Sequence, residues 1–142
     1  MSVSALYKSV LMEHYRRPHN FGALEHADAV ARGSNPMCGD DVEVAVRFQA
    51  DRLAWVQFRG RGCSVCIASA SLMTDAVQGL ERSGARQLVD TMRAWFTAGD
   101  GGAVPDPPAA LEALAAVRGF PARRRCVLLA WEALEEALSD PG

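Results

Sequence analysis

Val42-Glu43-Val44-Ala45-Val46-Arg47-Phe48 decides the fold. Val42, Val44, Val46 and Phe48 alternate with Glu43, Ala45 and Arg47, the period of two that a half-buried strand produces. Ala50-Asp51-Arg52 reads as a turn. Residues 53–59, with Trp55, Val56 and Phe58, read as the returning strand of a hairpin. Residues 27–31 are expected to add a third strand, and Gly60 and Gly62, either side of Arg61, to stop the sheet.

Outside this hairpin the period changes to that of helices. Leu6, Tyr7, Val10, Leu11 and Tyr15 have helical spacing over residues 4–17, with Ser4 as cap and Pro18 as terminator. Residues 64–80 and 86–98 read as two further helices. A Gly/Pro-rich loop is expected over 99–108, then a short helix over 109–117. After Phe120-Pro121 breaks the chain, a last helix covers 124–138. Strands early and helices late predict an α+β domain. Its small antiparallel sheet, of about three strands, carries helices packed on one face.

The 142 residues suit a single domain spanning 1–142, and 49% hydrophobic residues supply its core. Fifteen basic against 17 acidic residues leave a net charge of −2, which gives no electrostatic reason to expect nucleic acid as partner. No apolar run approaches the ~20 residues that span a bilayer, so no membrane role is expected. The opening residues read as a helix start rather than a signal segment, which predicts a cytoplasmic protein. In that compartment four cysteines point to metal binding or catalysis rather than disulfides.

Three of the four stand where a thiolate is expected. Cys38 lies in Asn35-Pro36-Met37-Cys38-Gly39-Asp40, a turn able to present a thiol and a carboxylate toward one point. Cys63 follows Gly60-Arg61-Gly62 and opens a helix, whose unpaired amides and dipole favour negative charge. Cys126 is placed in the first turn of the last helix, behind Arg123-Arg124-Arg125, and neighbouring cations lower a thiol pKa. Taken singly, each feature has a plainer reading. A lone cysteine is usually a small buried hydrophobe, Asp40 a turn residue, and the arginine run a solvated face. His14, His19 and His26 are not spaced as a ligand pair and read as structural or surface residues. Cys63-Ser64-Val65-Cys66 has the spacing of a redox pair or of half a zinc site, but no second such pair exists.

Taken together, the motifs resemble those of the U-type iron–sulfur cluster assembly proteins: IscU, SufU and the amino-terminal domain of NifU. The resemblance rests on Asn35–Asp40, on Gly60-Arg61-Gly62-Cys63 followed by Ile67-Ala68-Ser69-Ala70-Ser71-Leu72-Met73, and on Cys126-Val127-Leu128-Leu129-Ala130-Trp131. The opening, from Leu6-Tyr7 through His14-Tyr15 to Pro18-His19-Asn20-Phe21-Gly22, is similar too. The long stretch between Cys63 and Cys126, and Arg125 where the IscU branch places a histidine, are SufU-like. The resemblance implies a metal site of Cys38, Asp40, Cys63 and Cys126. In SufU-type proteins such a site holds zinc and accepts persulfide sulfur from a cysteine desulfurase, which makes the protein a sulfurtransferase or a co-substrate. In IscU-type proteins it assembles a [2Fe–2S] cluster on the cysteines and passes it on. Downstream assembly or apo-acceptor proteins are then partners besides the desulfurase. Cys38 is expected to receive the sulfur, because its glycine-flanked loop can move. Three thiolates and a carboxylate suit tetrahedral zinc, and the carboxylate is the harder, less committed ligand. Two positions depart from the family: Cys66 stands where a small residue is usual, and Asp41 doubles the acidic residue. A redox protein using Cys63 and Cys66 is the alternative from a different class.

Overall fold

The alternating stretch lies in β2 (Asp40–Gln49), the middle strand of a three-stranded antiparallel sheet between β1 (Ala29–Asn35) and β3 (Arg52–Arg61). The structure is a computed structural model that describes residues 3–22, 24–97 and 108–139. Strand parity sorts the side chains. Ala29, Ala31, Val42, Val44, Val46, Leu53, Val56 and Phe58 are buried on the inner face. Arg32, Asp41, Glu43 and Arg59 lie on the outer face, where Arg32 pairs with Asp41 and Arg59 with Glu43. A register shift between Arg47 and Phe48 bends the hairpin near its Ala50-Asp51 turn.

Two of the expected strand limits are moved by pairing. The third strand starts at Ala29 and continues to Asn35, because β1 stays in register with β2 from Ala29↔Val46 to Asn35↔Asp40. Gly60 does not stop the sheet, and β3 runs through it to Arg61. A Cβ at Gly60 would stand 2.3 Å from the Asp41 carbonyl oxygen, so glycine is what lets the strands close here.

The helices are α1 (Val3–Arg16), α2 (Ser64–Val77), α3 (Arg82–Thr97) and α4 (Pro121–Ser139), with a 3₁₀ segment at Ala109–Val117. The expected short helix at 109–117 is thus present in the tighter form. The expected loop at 99–108 lies outside the described residues, apart from Pro108. α2 ends at Val77, short of the expected 80, and Gly79 then takes φ +83°. α4 begins at Pro121 rather than 124. Proline fits a first helical position, where no amide partner is needed and its φ is already set.

α4 packs on β1, β2, α2 and α3, while α2 packs on β3, α1 and α4. α2 is buried from Cys66 to Thr74, which makes it the central helix. A polar bolt joins it to α4. The Trp131 indole N–H donates to Ser69 Oγ at 3.1 Å, and the Ser69 hydroxyl donates to the Val127 carbonyl at 2.7 Å. Trp131, Phe58 and Phe96 are fully buried, each worth about 1.5–3 kcal/mol or more of apolar transfer. The helices that open behind Cys63 and carry Cys126 are therefore fixed to each other and to the sheet.

Candidate functional site

Strand parity aims Asp40 and Asp41 in opposite directions. Asp40 shares the inner face with Val42 and is 1% exposed. Asp41 points outward, and its carboxylate takes the Arg32 guanidinium through Nε at 2.8 Å and through Nη2. The Arg32 hydrogen bond holds the Asp41 carboxyl below the usual carboxylate range. The acidic doubling thus leaves one carboxylate for the site.

Gly62 is the floor on which Asp40 rests. A Cβ there would lie 2.5 Å from Asp40 Oδ1 and 3.0 Å from its Cγ. That close approach lets Asp40 Oδ1 accept the Cys63 N–H at 2.9 Å. The other oxygen, Oδ2, is buried with no hydrogen-bond partner. A buried carboxylate oxygen left unpaired costs several kcal/mol unless a cation faces it, so this donor set fits a bound metal ion.

The cysteines arrive from three directions. Cys38 is exposed in the loop between β1 and β2, its N–H bonded to the Asn35 carbonyl at 3.1 Å. Gly39, at φ +73°, then turns the chain into β2. Cys63 is the N-cap of α2, and its Sγ accepts the Cys66 N–H at 3.4 Å. Cys126 is buried, its thiol weakly bonded to the Ala122 carbonyl at 3.9 Å. Cys38, Asp40 and Cys126 offer one ligand atom each, all within 4.8 Å of one another. Cys63 stands beside this trio, since its N–H bonds to Asp40 and its charge acts on the Cys126 thiol. Three of the four expected residues therefore meet at one end of the sheet, and Cys63 adjoins them without its ligand atom joining the cluster.

The expectation for Cys126 is corrected in one respect. With α4 starting at Pro121, Cys126 falls in the second turn, beyond the free amides. Burial pushes its thiol well above the ordinary value, and the neighbouring Asp40 and Cys63 add to the rise. The arginine run does not reverse this in the metal-free protein. Of that run, Arg123 lies beside Cys63 and Cys126, and the charge of Cys63 raises its own pKa. Arg124 donates to the Arg118 carbonyl at 2.9 Å.

Residues 6–140 match the NifU-like N terminal domain family. The chain belongs to that family. An iron-sulfur cluster assembly scaffold protein IscU of Streptococcus pyogenes serotype M1 is 39% identical over 133 residues, 94% of this chain and 82% of that protein. The zinc-dependent sulfurtransferase SufU of Bacillus subtilis (strain 168) is 36% identical over 141 residues, 97% of this chain and 92% of its own. The crystal structure of a hypothetical protein at 2.3 Å resolution is 36% identical, with a TM-score of 0.84, and covers 97% of this chain and 100% of that one. Within this NifU-like domain the expected α+β fold and its three-stranded sheet are present. No helix among the described residues is long and apolar enough to cross a membrane.

Cys66, the cysteine outside the expected set, is fully buried on α2. Burial above all, then the charges of Asp40, Cys63 and Cys38, pushes its thiol up to about 12. It is a thiol lying directly behind the site, protonated at neutral pH. That state makes Cys66 a poor nucleophile by itself, because the thiolate is the reactive form.

Sequence reasoning missed three things. Gly62 as the floor for Asp40 has only the weak signal of a glycine before a cysteine. Arg123 as a cation beside the sulfurs had no signal separating it from Arg124 and Arg125. Spacing also failed for the histidines: His14 and His19 are five apart, yet their rings stand 4.5 Å apart once the chain turns after α1.

Proposed function

We propose that this NifU-like domain serves iron–sulfur cluster assembly by accepting persulfide sulfur from a cysteine desulfurase at a zinc centre held by Cys38, Asp40, Cys63 and Cys126. The observation that carries this reading is Asp40 Oδ2, a buried, unpartnered carboxylate oxygen amid thiols. Ligands of one tetrahedral zinc lie roughly 3.3–3.8 Å apart. A trio already within 4.8 Å suits a single ion better than the two irons of a cluster, which take ligands on opposite sides. Zinc bound there keeps the sulfurs as thiolates and withdraws no electrons by redox change.

The protein's own groups do the rest. Cys38 is the acceptor, because it is exposed and sits on the loop that Gly39 turns. Its thiolate attacks the outer sulfur of the donor persulfide. A new S–S bond forms at Cys38, the donor's S–S bond breaks, and its electron pair leaves with the donor thiolate. Asp40, Cys63 and Cys126 remain on rigid elements. Arg123 offsets part of the negative charge that three thiolates and a carboxylate bring.

A second reading, assembly of a [2Fe–2S] cluster and its transfer to acceptor proteins, is favoured by the Streptococcus relative, named a scaffold protein. Elemental analysis and a visible spectrum of anaerobically purified protein divide the two. One zinc per chain and a colourless solution support sulfur transfer, whereas iron with visible absorption replaces it with scaffolding. After incubation with desulfurase and cysteine, mass spectrometry should find one added sulfur on Cys38. Sulfur on Cys126 alone would reassign the acceptor. Cys63→Ala should lose stoichiometric metal and melt at lower temperature, since metal binding stabilises the fold.

A further inference from the structure

We propose that His14, His19 and Asp75 form a second metal site, for a borderline divalent transition ion of the zinc, cobalt or nickel class. Their ligand atoms all lie within 4.8 Å of one another. His14 is on α1, His19 follows Pro18, and Asp75 is near the end of α2. Asp75 is twelve residues beyond Cys63, or roughly 18 Å along the helix axis. The site is thus separate from the cysteine centre, and the inference does not rest on the sulfur-transfer reading.

Each group is held in place by neighbours. Asn20, in the left-handed region at φ +57°, donates through Nδ2 to Asp75 Oδ1 and to Thr74 Oγ1, both at 3.0 Å. That leaves Asp75 Oδ2 facing His19 Nδ1 at 2.5 Å. The His14 ring is fixed by the buried Ser71 hydroxyl, 2.7 Å from its Nδ1, and Ser71 Oγ also accepts the His19 N–H at 2.8 Å. Orientation of a histidine through its second nitrogen is what metal sites require.

The chemistry of the group selects its ligand. Two imidazole rings at a centroid distance of 4.5 Å repel each other when both are protonated. Burial and His19 accordingly lower the His14 pKa, and neutral imidazole is the metal-binding form. A divalent ion takes the place of the proton between His19 and Asp75 and accepts His14 as a further ligand. Two imidazoles and one carboxylate suit zinc, cobalt, nickel or copper, whereas magnesium and calcium prefer all-oxygen sites. His19 and Asp75 are exposed, which gives an ion a path of entry.

The test is calorimetric titration with nickel(II) at pH 7.5 on the protein as isolated, for the parent and three variants. His19→Arg removes a ligand but places an N–H donor beside Asp75, so the carboxylate keeps a partner. Asp75→Asn removes the carboxylate. His26→Asn is the control, because His26 lies outside the cluster and its φ of +65° suits asparagine. The parent and His26→Asn should bind one equivalent more than His19→Arg. Asp75→Asn should bind that equivalent at least about tenfold more weakly. The count is a difference, so it reads the same whatever the cysteine centre holds. Nickel should also raise the melting temperature of the parent more than that of His19→Arg, because it ties α1 to α2. Equal stoichiometry in parent and His19→Arg overturns the proposal. Should His19→Arg not fold, unchanged nickel affinity in Asp75→Asn overturns it instead.

Discussion

Adding one carbon at position 62 separates the role of Asp40 from those of the sulfurs. In Gly62→Ala the new Cβ falls 2.5 Å from Asp40 Oδ1, 3.0 Å from its Cγ and 3.2 Å from its Cβ. Relaxed contacts between such atoms are about 3.5–4.0 Å, so the carboxylate must retreat by roughly an ångström. It cannot do so and keep the 2.9 Å bond from the Cys63 N–H. A hydrogen bond to a charged group is worth about 1.5–3 kcal/mol, and overpacking costs about 1–3 kcal/mol. Breaking the bond relieves the clash, so the two costs do not add. The expected loss in the metal-free protein is ~2 kcal/mol, or about 4–8 °C in melting temperature. Retreat also withdraws the carboxylate from Cys38 and Cys126, so metal affinity should fall by about tenfold or more. Thermal melts of the metal-free protein and chelator competition of the loaded protein read the two effects. Gly84→Ala is the control, since nothing lies within 4 Å of a Cβ there. It sits in α3 and should gain about 0.5–1 kcal/mol. If Gly62→Ala melts within a degree of the parent and yields its metal at the same chelator concentration, Gly62 is not the floor of the site.

Other consequences are open to measurement. Cys66, fully buried with its thiol pushed up to about 12, should alkylate far more slowly than exposed Cys38 at pH 8 in the folded protein. Prompt modification there would contradict its burial. Cys66→Ser should leave metal content and sulfur acceptance nearly unchanged, and loss of metal would make Cys66 a ligand in place of Asp40. Ser69→Ala strands the Trp131 indole N–H in the core and should cost about 1–3 kcal/mol by denaturant unfolding; a neutral result would deny the bolt between α2 and α4. The folded pKa of His14 lies below its ordinary 6.5, so the neutral ring is favoured in the folded state. Its contribution to stability is complete above pH 6.5 and is lost as pH falls through the lowered value. Stability should therefore decline as pH falls from 6.5 to that lowered value, and decline less in His14→Gln. Equal slopes would remove His14 as the cause.

The fold was legible because its signals are local. Alternation at Val42, Val44 and Val46 needs only the strand's own period, and the helical runs only theirs. What misled were positions decided by another strand. Gly60 read as a breaker, yet it is a glycine within β3 because the Asp41 backbone fills its side-chain space; Gly62 does lie just past the strand, and the Asp40 carboxylate fills the space of its side chain. Pro121 read as a break where it opens α4, which displaced Cys126 by a turn; burial there reversed the expected effect on its thiol. The cluster of His14, His19 and Asp75 could not be read from spacing, because the turn after α1 and the packing of α1 on α2 create it.

The site shows the same division between local and assembled information. A parity rule applied to β2 alone separates Asp40 from Asp41, one carboxylate for the interior and one for solvent. That rule was available from the alternation at 42–48. Parity does not say that the interior carboxylate will lack a partner. That follows only when α4 brings Cys126 against it and the start of α2 satisfies Oδ1, leaving Oδ2 with none. Three elements far apart in sequence, two of them bolted together through Ser69, Trp131 and Val127, thus enclose negative and potentially negative groups around one buried oxygen. Most native sites would quench such an oxygen with a donor side chain. Arg123 sits exposed at the rim beside the sulfurs rather than on that oxygen. The proposed zinc would supply the partner that this oxygen lacks, since a cation needs no space for a side chain.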